Sequence, residues 1–362
     1  MPIGHLAPDI GIRLLPMRHD GDMPALVPTL FDAWVDAAYG PGGFWPGSTP
    51  TAHFRTAATL GPELGDALVA LLVRHPEIVR VVEVGAGEGL LLSSLAAAAD
   101  RAGRPLQLAG IDLRSRPTRL PGGVTWVQDC WDVRHGRWSG EAARALLDDD
   151  DGPTLLVALE WLDDLPCRLA AGRADGRREV AADGVARGPL DPASARWAGT
   201  WWPSGHVVEV GLTRDVAWSS LVAGLHRTGG LALAVDYGHQ RAARPPDGSL
   251  AGYRAGRRVT AEAEPGRNLT AHVAVDAVAS AGRRAGATTL RLAHQRDVLD
   301  ELLPATAASG PTAVPSTVAD LAARSRRAAL GSPRGWGEHW WLLQEVQRPR
   351  IAEGSGRPAV AT

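Results

Sequence analysis

The sequence of 362 residues contains no lysine, so all 38 of its basic residues are arginine. Without a lysine ε-amino group, the chain cannot form a Schiff base or supply the phosphate-binding lysine of a Walker A loop. Basic and acidic residues are nearly balanced, and the formal net charge is -2. Since an extended nucleic-acid footprint requires clustered positive charge, we expect no nucleic-acid partner.

Cysteine is almost as scarce, and Cys130 and Cys167 form no Cys-x-x-Cys pair. Neither a disulfide framework nor a zinc site is predicted. The acidic run Asp148 to Asp151 is interpreted as a solvated loop, because four consecutive acids cannot all face one ion, and we expect no metal. Met1 to Met23 lacks the apolar core of a signal peptide, and no stretch is long enough to span a membrane. A cytoplasmic enzyme without a membrane partner is therefore expected.

The most informative stretch combines an apolar run with a glycine-rich turn. The β-branched run from Ile78 to Val84 leads into a Gly-x-Gly-x-Gly turn, after which apolar residues recur at helical spacing to about Ala99. This pattern predicts a strand, a tight turn and a helix. Gly85, Gly87 and Gly89 let the backbone approach a ligand closely, because they carry no Cβ and adopt positive φ without strain. We therefore expect a flat cofactor on this turn.

Spacing and charge at the turn favour one cofactor over another. A dinucleotide fingerprint needs a third glycine three residues after the second, where this chain has Leu90. Glu83 and Glu88 place carboxylates where a pyrophosphate would lie, and they suit a ligand that carries an ammonium and a sulfonium. Asp112, which closes the next apolar run, is placed to bind both hydroxyls of a ribose. S-adenosylmethionine fits better than NAD, and a turn that binds nothing is the alternative. Asp129, after the third strand, is a further candidate cofactor contact.

Alternation of strands and helices through the central region predicts an α/β fold with a mostly parallel sheet. In the first 77 residues, the breaker-rich loop from Gly40 to Thr51 is a candidate lid, with an ordinary surface loop as the equal alternative. The predicted divisions are an N-terminal helical cap and lid (1–77), a cofactor-binding half (78–166), an inserted β-rich flap (167–205), a second half of the core (206–348) and a disordered tail (349–362).

Four segments of the second half bear on the expected site. Residues 239–268 are predicted to form a long active-site loop, because they are rich in Gly, Pro and Arg. A helix is expected from about Ala271 to Gly282, with His272 near its start. Trp340 to Val346 is predicted to be an edge strand, whereas Leu231 to Gly238 is predicted to be a fully buried strand.

Acidic residues follow the predicted strands at the edge where open α/β sheets bind ligands. Glu160 and Asp163 come after the strand Thr154 to Leu159, and Asp236 ends a later strand. His272 is a candidate general base. A structural alternative stands beside each candidate: a helix cap for Glu160, an arginine partner for Asp163, a turn cap for Asp236 and a bond to a backbone carbonyl for His272.

Aromatic composition is unusual, with 13 Trp against three Phe and three Tyr. Trp161, Trp201 and Trp202 are candidates for the wall of an aromatic or cation pocket. Because tryptophan is so abundant here relative to the other aromatic residues, we also expect it to fill ordinary core.

Five separated blocks carry a family likeness: Glu160 to Cys167, Trp201 to Pro203, Asp236 to His239, Gly248 to Arg254 and Leu269 to Val273. In this order, they resemble the MidA family of S-adenosylmethionine-dependent methyltransferases, which includes the mitochondrial complex I assembly factor that acts on a protein arginine. The likeness extends from about Phe54 to Val346 and is closest to the actinobacterial branch. It implies a class I, Rossmann-like methyltransferase fold and methylation of a protein side chain, arginine by analogy.

Three positions depart from the family pattern. His53 lies where the family usually has Asp, Leu159 where it has Asn, and Asn268, the only asparagine of the chain, where it has Asp. These changes allow a small-molecule O- or N-methyltransferase of a biosynthetic pathway as an alternative. A non-catalytic scaffold protein that retains the fold is the alternative from a different class. The assembly state is left open, with a homodimer as one alternative.

Overall fold

The computed structural model describes residues 27–48, 56–172, 176–303 and 317–348. Its α-helices are α1 (Leu30–Tyr39), α2 (Phe44–Gly47), α3 (Glu63–Val73), α4 (Leu90–Arg101), α5 (Ala142–Asp148), α6 (Pro192–Trp201), α7 (Leu212–Gly224), α8 (Val275–Arg284), α9 (Gln295–Leu302) and α10 (Val318–Leu330). Short 3-10 helices cover Ala57–Thr59, Arg241–Ala243 and Trp336–Glu338.

The strands are β1 (Arg80–Val84), β2 (Gln107–Asp112), β3 (Val124–Gln128), β4 (Trp131–Asp132), β5 (Arg137–Trp138), β6 (Thr154–Leu159), β7 (Arg168–Ala171), β8 (Arg178–Val180), β9 (Ala186–Pro189), β10 (Val207–Val210), β11 (Gly230–Asp236), β12 (Gly238–His239), β13 (Ala251–Arg254), β14 (Arg257–Val259), β15 (Asn268–Thr270), β16 (Val273–Ala274), β17 (Thr288–His294) and β18 (Trp340–Val346).

A seven-stranded sheet in the order β17-β18-β11-β6-β1-β2-β3 forms the centre of the molecule. The pairings from β11 to β3 are all parallel, and β18 runs antiparallel to both of its neighbours. Side chains alternate between the two faces of the sheet. On β6, Leu155 and Val157 pack into the core that holds α3 and α4, whereas Leu156 and Ala158 face the core that holds α7. The sheet is therefore covered by helices on both faces, as parallel sheets generally are.

This topology brings the carboxyl ends of five parallel strands to one edge of the sheet. The residues at or just beyond these ends are Gly85 after β1, Asp112 on β2, Asp129 after β3, Glu160 after β6 and Asp236 on β11. They are separated in sequence but meet at the edge where open α/β sheets bind ligands. The fold thus brings these five residues to the same edge of the sheet.

The prediction of a long loop over residues 239–268 is wrong, because β13 and β14 form a hairpin within it, and β13 also pairs with β15, which begins at Asn268. The β13–β14 hairpin turns at Ala255 and Gly256, whose φ angles are 48° and 72°. Two consecutive residues with positive φ are typical of the tight two-residue hairpin turn. Ala-Gly is a weaker sequence signal for this turn than Asn-Gly. The segment 167–205 contains β7, β8 and β9, which join β10 in a four-stranded antiparallel sheet.

Two other predictions for the second half also need correction. Trp340–Val346 is not an edge strand, since it lies between β11 and β17, and β17 forms the edge. Its consecutive residues Trp341, Leu342 and Leu343 are all buried, which fits a strand covered on both faces. The helix expected from Ala271 begins only at Val275, because the preceding residues form β15 and β16.

The candidate lid loop contains α2, whose Phe44 and Trp45 are buried against α1, and its residues 49–51 lie outside the described ranges. His53 and the tail 349–362 lie outside the described residues. Within the described ranges, no helix is both long and apolar enough to cross a membrane.

Candidate active site

The glycine turn between β1 and α4 has the backbone that the sequence predicts. Gly85, Gly87 and Gly89 have φ angles of 67°, 59° and 68°, a region that side-chain-bearing residues rarely adopt. A Cβ on Gly85 would lie 2.3 Å from Cδ1 of Trp161, and a Cβ on Gly89 would lie 2.4 Å from Cδ1 of Leu120. The positive φ at all three positions, and at Gly85 also the closeness of the Trp161 ring, explain why glycine occupies this turn.

An open cleft lies in front of this turn, at the carboxyl edge of the sheet. Ligand pockets typically combine mostly apolar walls with a few placed polar groups, and this cleft does so. The predicted candidates that line it are Glu83, Gly85, Gly87, Glu88, Asp112, Asp129, Glu160, Trp161 and Asp163.

Glu83 and Asp112 provide the acidic groups nearest the turn. Burial, and then the nearby Asp112, raise the pKa of Glu83 well above its usual value. Its Oε2 is buried and has no hydrogen-bond partner among the described residues. Oδ2 of Asp112 accepts the N–H of Gly87 at 2.8 Å, which fixes the carboxylate against the turn. An unpartnered buried acceptor in a cleft is the feature that a ligand with N–H donors would satisfy.

Arg114 is a cleft residue that the sequence interpretation missed. Its Nε donates to Oδ1 of Asp112 at 2.9 Å, and its Nη1 donates to the carbonyl of Ser48 at 3.2 Å. The guanidinium therefore connects the predicted ribose-binding acid to the segment after α2. Its position two residues beyond Asp112 was the only signal that the sequence offered.

Asp129 lines the cleft, but its carboxylate is already used by the backbone. Oδ1 accepts the N–H groups of Cys130 and Gly140, both at 2.8 Å, and Oδ2 accepts that of Ala143 at 3.1 Å. These bonds tie the segment after β3 to the start of α5. The visible role of Asp129 is thus structural.

Glu160 has a strained backbone at the end of β6. Its φ is 47°, and positive values are uncommon for residues other than glycine. Two contacts hold it: its N–H donates to the carbonyl of Val235 at 2.8 Å, and its Oε1 accepts the N–H of Ala57 at 2.7 Å. Strain of this kind costs about 1–3 kcal/mol and clusters at functional sites.

Asp163 belongs to a buried network that was not predicted. Oδ2 of Asp163 accepts hydrogen bonds from the hydroxyls of Tyr237 and Thr270, the latter at 2.7 Å, and the two hydroxyl oxygens are also within hydrogen-bond distance of each other. Burial raises the pKa of Asp163, although these two bonds oppose the shift. Oδ1 of Asp163 is buried and has no partner among the described residues. Tyr237 and Thr270 both lie in blocks that carry the MidA resemblance, which was the available signal.

Asp164 and Asn268 complete the acidic end of the cleft. Burial, and then Asp163, raise the pKa of Asp164 well above its usual value, and a hydrogen bond from Asn268 opposes this shift. Oδ1 of Asn268 is buried and unpartnered within the described structure. Asn268 thus keeps an acceptor atom at a position where the resemblance leads us to expect an acid.

Asp236 and His272 do not line the cleft, in contrast to the prediction. Oδ2 of Asp236 accepts the N–H groups of Leu162 and Asp163 at 3.0 and 3.2 Å, so Asp236 shapes the loop after β6 from behind. His272 lies between β15 and β16, with its ring 5.2 Å from that of Tyr237. The backbone N–H of His272 donates to Oγ of Ser249. Both residues support the groups that line the cleft.

Tryptophans form one wall of the cleft, but only one of them was predicted. Trp161 stacks on Trp138 with ring centroids 6.4 Å apart, and Trp131 packs edge-on against Trp138 at 5.4 Å. Trp201 and Trp202 do not line the cleft; Trp202 is fully buried against His239. Trp131 and Trp138 were missed because they lie on β4 and β5, two short strands without a periodic pattern.

The sheet order, the glycine turn and the acids beside it define a class I, Rossmann-like S-adenosylmethionine-dependent methyltransferase. The chain belongs to the family described as "Putative S-adenosyl-L-methionine-dependent methyltransferase", whose model matches residues 64–293. S-adenosylmethionine is accordingly the cofactor, as predicted.

Two solved structures share the fold. One is a candidate methyl transferase from Burkholderia thailandensis bound to S-adenosylhomocysteine, with a TM-score of 0.68 and 21% identity over 88% of this chain and 87% of that chain. The other is a native structure of an uncharacterised protein from the same organism, with a TM-score of 0.67 and 22% identity over the same shares. None of the curated proteins matches this sequence.

Proposed function

We propose that this methyltransferase methylates a guanidinium group, that of a protein arginine, in keeping with the MidA resemblance. The observation that carries the proposal is the group of three carboxylates, Glu160, Asp163 and Asp164, at one end of the cleft. Carboxylates recognise the planar guanidinium through paired, charge-assisted hydrogen bonds. An acidic slot beside the cofactor turn is the arrangement that this acceptor requires.

The charges of the slot support a cationic acceptor. Burial raises the pKa values of Asp163 and Asp164, which means that the protein alone does not fully compensate their charges. Arg214 lies nearby, but its guanidinium donates to the backbone carbonyls of Asp163 and Leu165. Among the described residues, no arginine forms an ion pair with the three carboxylates. A bound guanidinium would bring the missing positive charge.

Free acceptor atoms support the same conclusion. Oδ1 of Asp163 and Oδ1 of Asn268 are both buried and unpartnered in the part of the chain that the structure describes. Buried polar atoms without partners cost about 1–3 kcal/mol each, so a ligand that donates to them gains affinity. A guanidinium carries five N–H donors and is well suited to several acceptors at once.

The chain's own residues would bind the acceptor, orient it and remove its proton. When bound, S-adenosylmethionine supplies an electrophilic methyl group on a positively charged sulfur. Glu160, Asp163 and Asp164 would orient the acceptor, and Glu160 would take the proton that its nitrogen loses. The network of Tyr237 and Thr270 holds Asp163 so that its free Oδ1 keeps one position.

The alternative acceptor is a neutral, aromatic small molecule. Trp131, Trp138 and Trp161 form an extended aromatic wall in the same cleft, and Leu159 adds apolar surface where the family has a polar residue. A flat phenolic acceptor would stack on this wall. The acidic slot favours the guanidinium, because a neutral acceptor would leave its carboxylates without a cation.

A substrate panel tests the proposal. The protein is incubated with methyl-labelled S-adenosylmethionine and, separately, with arginine-containing peptides, matched peptides carrying citrulline in place of arginine, and phenolic small molecules. We expect label on the arginine peptides alone, because citrulline has the same shape without the charge. Transfer to phenols with none to arginine peptides would contradict the guanidinium proposal and favour the alternative.

A further inference from the structure

We infer that His339 is a positioning residue that holds Glu160 and stores the proton released by methyl transfer. The inference rests on the proposed function insofar as Glu160 contacts the acceptor. His339 comes immediately before β18, and it lies outside the cleft lining. Its Nε2 is 3.9 Å from Oε2 of Glu160, and the two side chains are 8% and 11% exposed.

The hydrogen bonds of the imidazole ring determine which nitrogen is available. Nδ1 of His339 lies 3.0 Å from the carbonyl oxygen of Trp336. A carbonyl can only accept, so Nδ1 must carry the proton, and in the neutral ring Nε2 bears the lone pair. Nε2 is buried and has no hydrogen-bond partner among the described residues. The structure thus places a free basic nitrogen next to Glu160.

The two oxygens of the Glu160 carboxylate have different neighbours. Oε1 is held by the N–H of Ala57, whereas Oε2 is the oxygen that faces His339. The gap of 3.9 Å is longer than a hydrogen bond, so the Glu160 carboxylate must rotate toward Nε2 before a proton can pass. We infer that this rotation accompanies the transfer of the proton from the cleft to Nε2.

The surroundings of His339 leave Glu160 as its proton partner. Tyr237, from the segment after β11, packs its ring edge-on at 5.6 Å. The charged neighbours Arg296 on α9 and Glu338 pair with each other. From α9, Gln295 donates its backbone N–H to the carbonyl of His339 and not to the ring. Of these groups, only Glu160 presents a titratable oxygen toward Nε2.

Methyl transfer to the acceptor nitrogen releases one proton. The acceptor nitrogen forms a bond to the methyl carbon, the carbon–sulfur bond breaks, and its electron pair remains on sulfur. One proton leaves the nitrogen for Oε2 of Glu160, which restores its charge by passing that proton to Nε2 of His339. The imidazolium then lies beside the anionic Glu160, an arrangement that stabilises both charges.

The first test is independent of activity. With ¹⁵N-labelled histidine, His339 is assigned by comparison with the spectrum of His339→Asn, and the neutral ring should carry its proton on Nδ1. Glu160→Gln should change the Nε2 resonance of His339. A neutral ring with its proton on Nε2 would overturn the inference, as would an Nε2 resonance insensitive to Glu160→Gln.

The second test uses two substitutions and a matched control. His339→Asn keeps a donor for the Trp336 carbonyl but lacks Nε2, and His339→Gln places a non-basic amide near the Nε2 position. Each should lower kcat by about 10-fold or more, somewhat less than the 10²–10⁴-fold of a base in direct contact. KM and the affinity for S-adenosylhomocysteine should stay unchanged. The control is His294→Asn, since His294 lies at the end of the neighbouring strand and bonds to a carbonyl of Glu338.

The pH dependence separates proton storage from a merely structural role. Because turnover would need both the carboxylate of Glu160 and the basic Nε2 of His339, the acid limb of the kcat profile should be less steep in His339→Asn than in the wild type. Profiles of equal steepness, or an effect equal to that of His294→Asn, would overturn the inference. A wild-type protein that methylates no guanidinium would instead contradict the proposed function, and the NMR result would still decide the state of His339.

Discussion

Gly85 faces the indole of Trp161 so closely that a Cβ at this position would lie 2.3 Å from Cδ1 of the ring. The contact joins the cofactor turn after β1 to the segment after β6, where the acidic slot begins. A side chain added at Gly85 would therefore push the indole of Trp161 aside. The cofactor and acceptor parts of the cleft are therefore mechanically linked at this point.

Gly85→Ala should destabilise the protein and weaken cofactor binding. A non-glycine residue at a φ of 67° costs about 1–3 kcal/mol, and the clash with Trp161 adds an overpacking cost of similar size. Gly103→Ala is the matched control, because Gly103 has a φ of 62° and open space around its Cβ position. Chemical unfolding and titration with S-adenosylmethionine measure both effects. Equal losses in the two variants would show that the Trp161 contact has no influence.

Asp112→Ala should weaken S-adenosylmethionine binding by about 1–3 kcal/mol, the cost of losing charge-assisted hydrogen bonds to the ribose. The change also removes the acceptor for the N–H of Gly87, so Asp112→Asn, which keeps an acceptor oxygen, should weaken binding less. Isothermal titration calorimetry measures the affinities, with the exposed Asp100→Ala as control. Unchanged affinity in Asp112→Ala would remove this residue from the cofactor site.

Asp215 should make stability depend on pH. Burial raises its pKa from 3.8 to about 7, against the hydrogen bond from Nε1 of Trp197. Because the folded protein binds this proton more tightly than the unfolded chain, its contribution to stability is full below pH 4 and is lost as the pH rises through 7. Asp215→Asn keeps an acceptor for Trp197 and should flatten this part of the profile. Urea unfolding between pH 4 and 8 checks this, and identical slopes for both proteins would contradict it.

The central elements could be predicted from the sequence because their signals are local. The run before Gly85 and the helical spacing after Leu90 each lie within about a dozen residues, and the structure confirms them as β1 and α4. Glu83, Asp112 and Glu160 could be assigned to the cleft because parallel strands end at one edge. Local pattern and topology were sufficient for these positions.

The side-chain network of the site could not be predicted in this way. Asp163 meets Tyr237 and Thr270 across sequence separations of 74 and 107 residues. The periodic pattern of apolar residues in the sequence does not predict such contacts, because they depend on how β11 and β15 pack at the rim. Asp236 was misplaced for a related reason, since a strand-terminal acid can face the cleft or the loop behind it, and only the packed structure decides.

The most direct test of guanidinium methylation is the effect of Glu160→Gln on methylation of an arginine peptide. Glu141→Gln, on the exposed start of α5, is the control. Glutamine keeps the shape and the acceptor for the N–H of Ala57 but removes the charge. We predict that Glu160→Gln lowers kcat by about 10²-fold or more while the affinity for S-adenosylmethionine stays within twofold, since the carboxylate acts on the acceptor. Turnover as fast as that of Glu141→Gln would contradict the account.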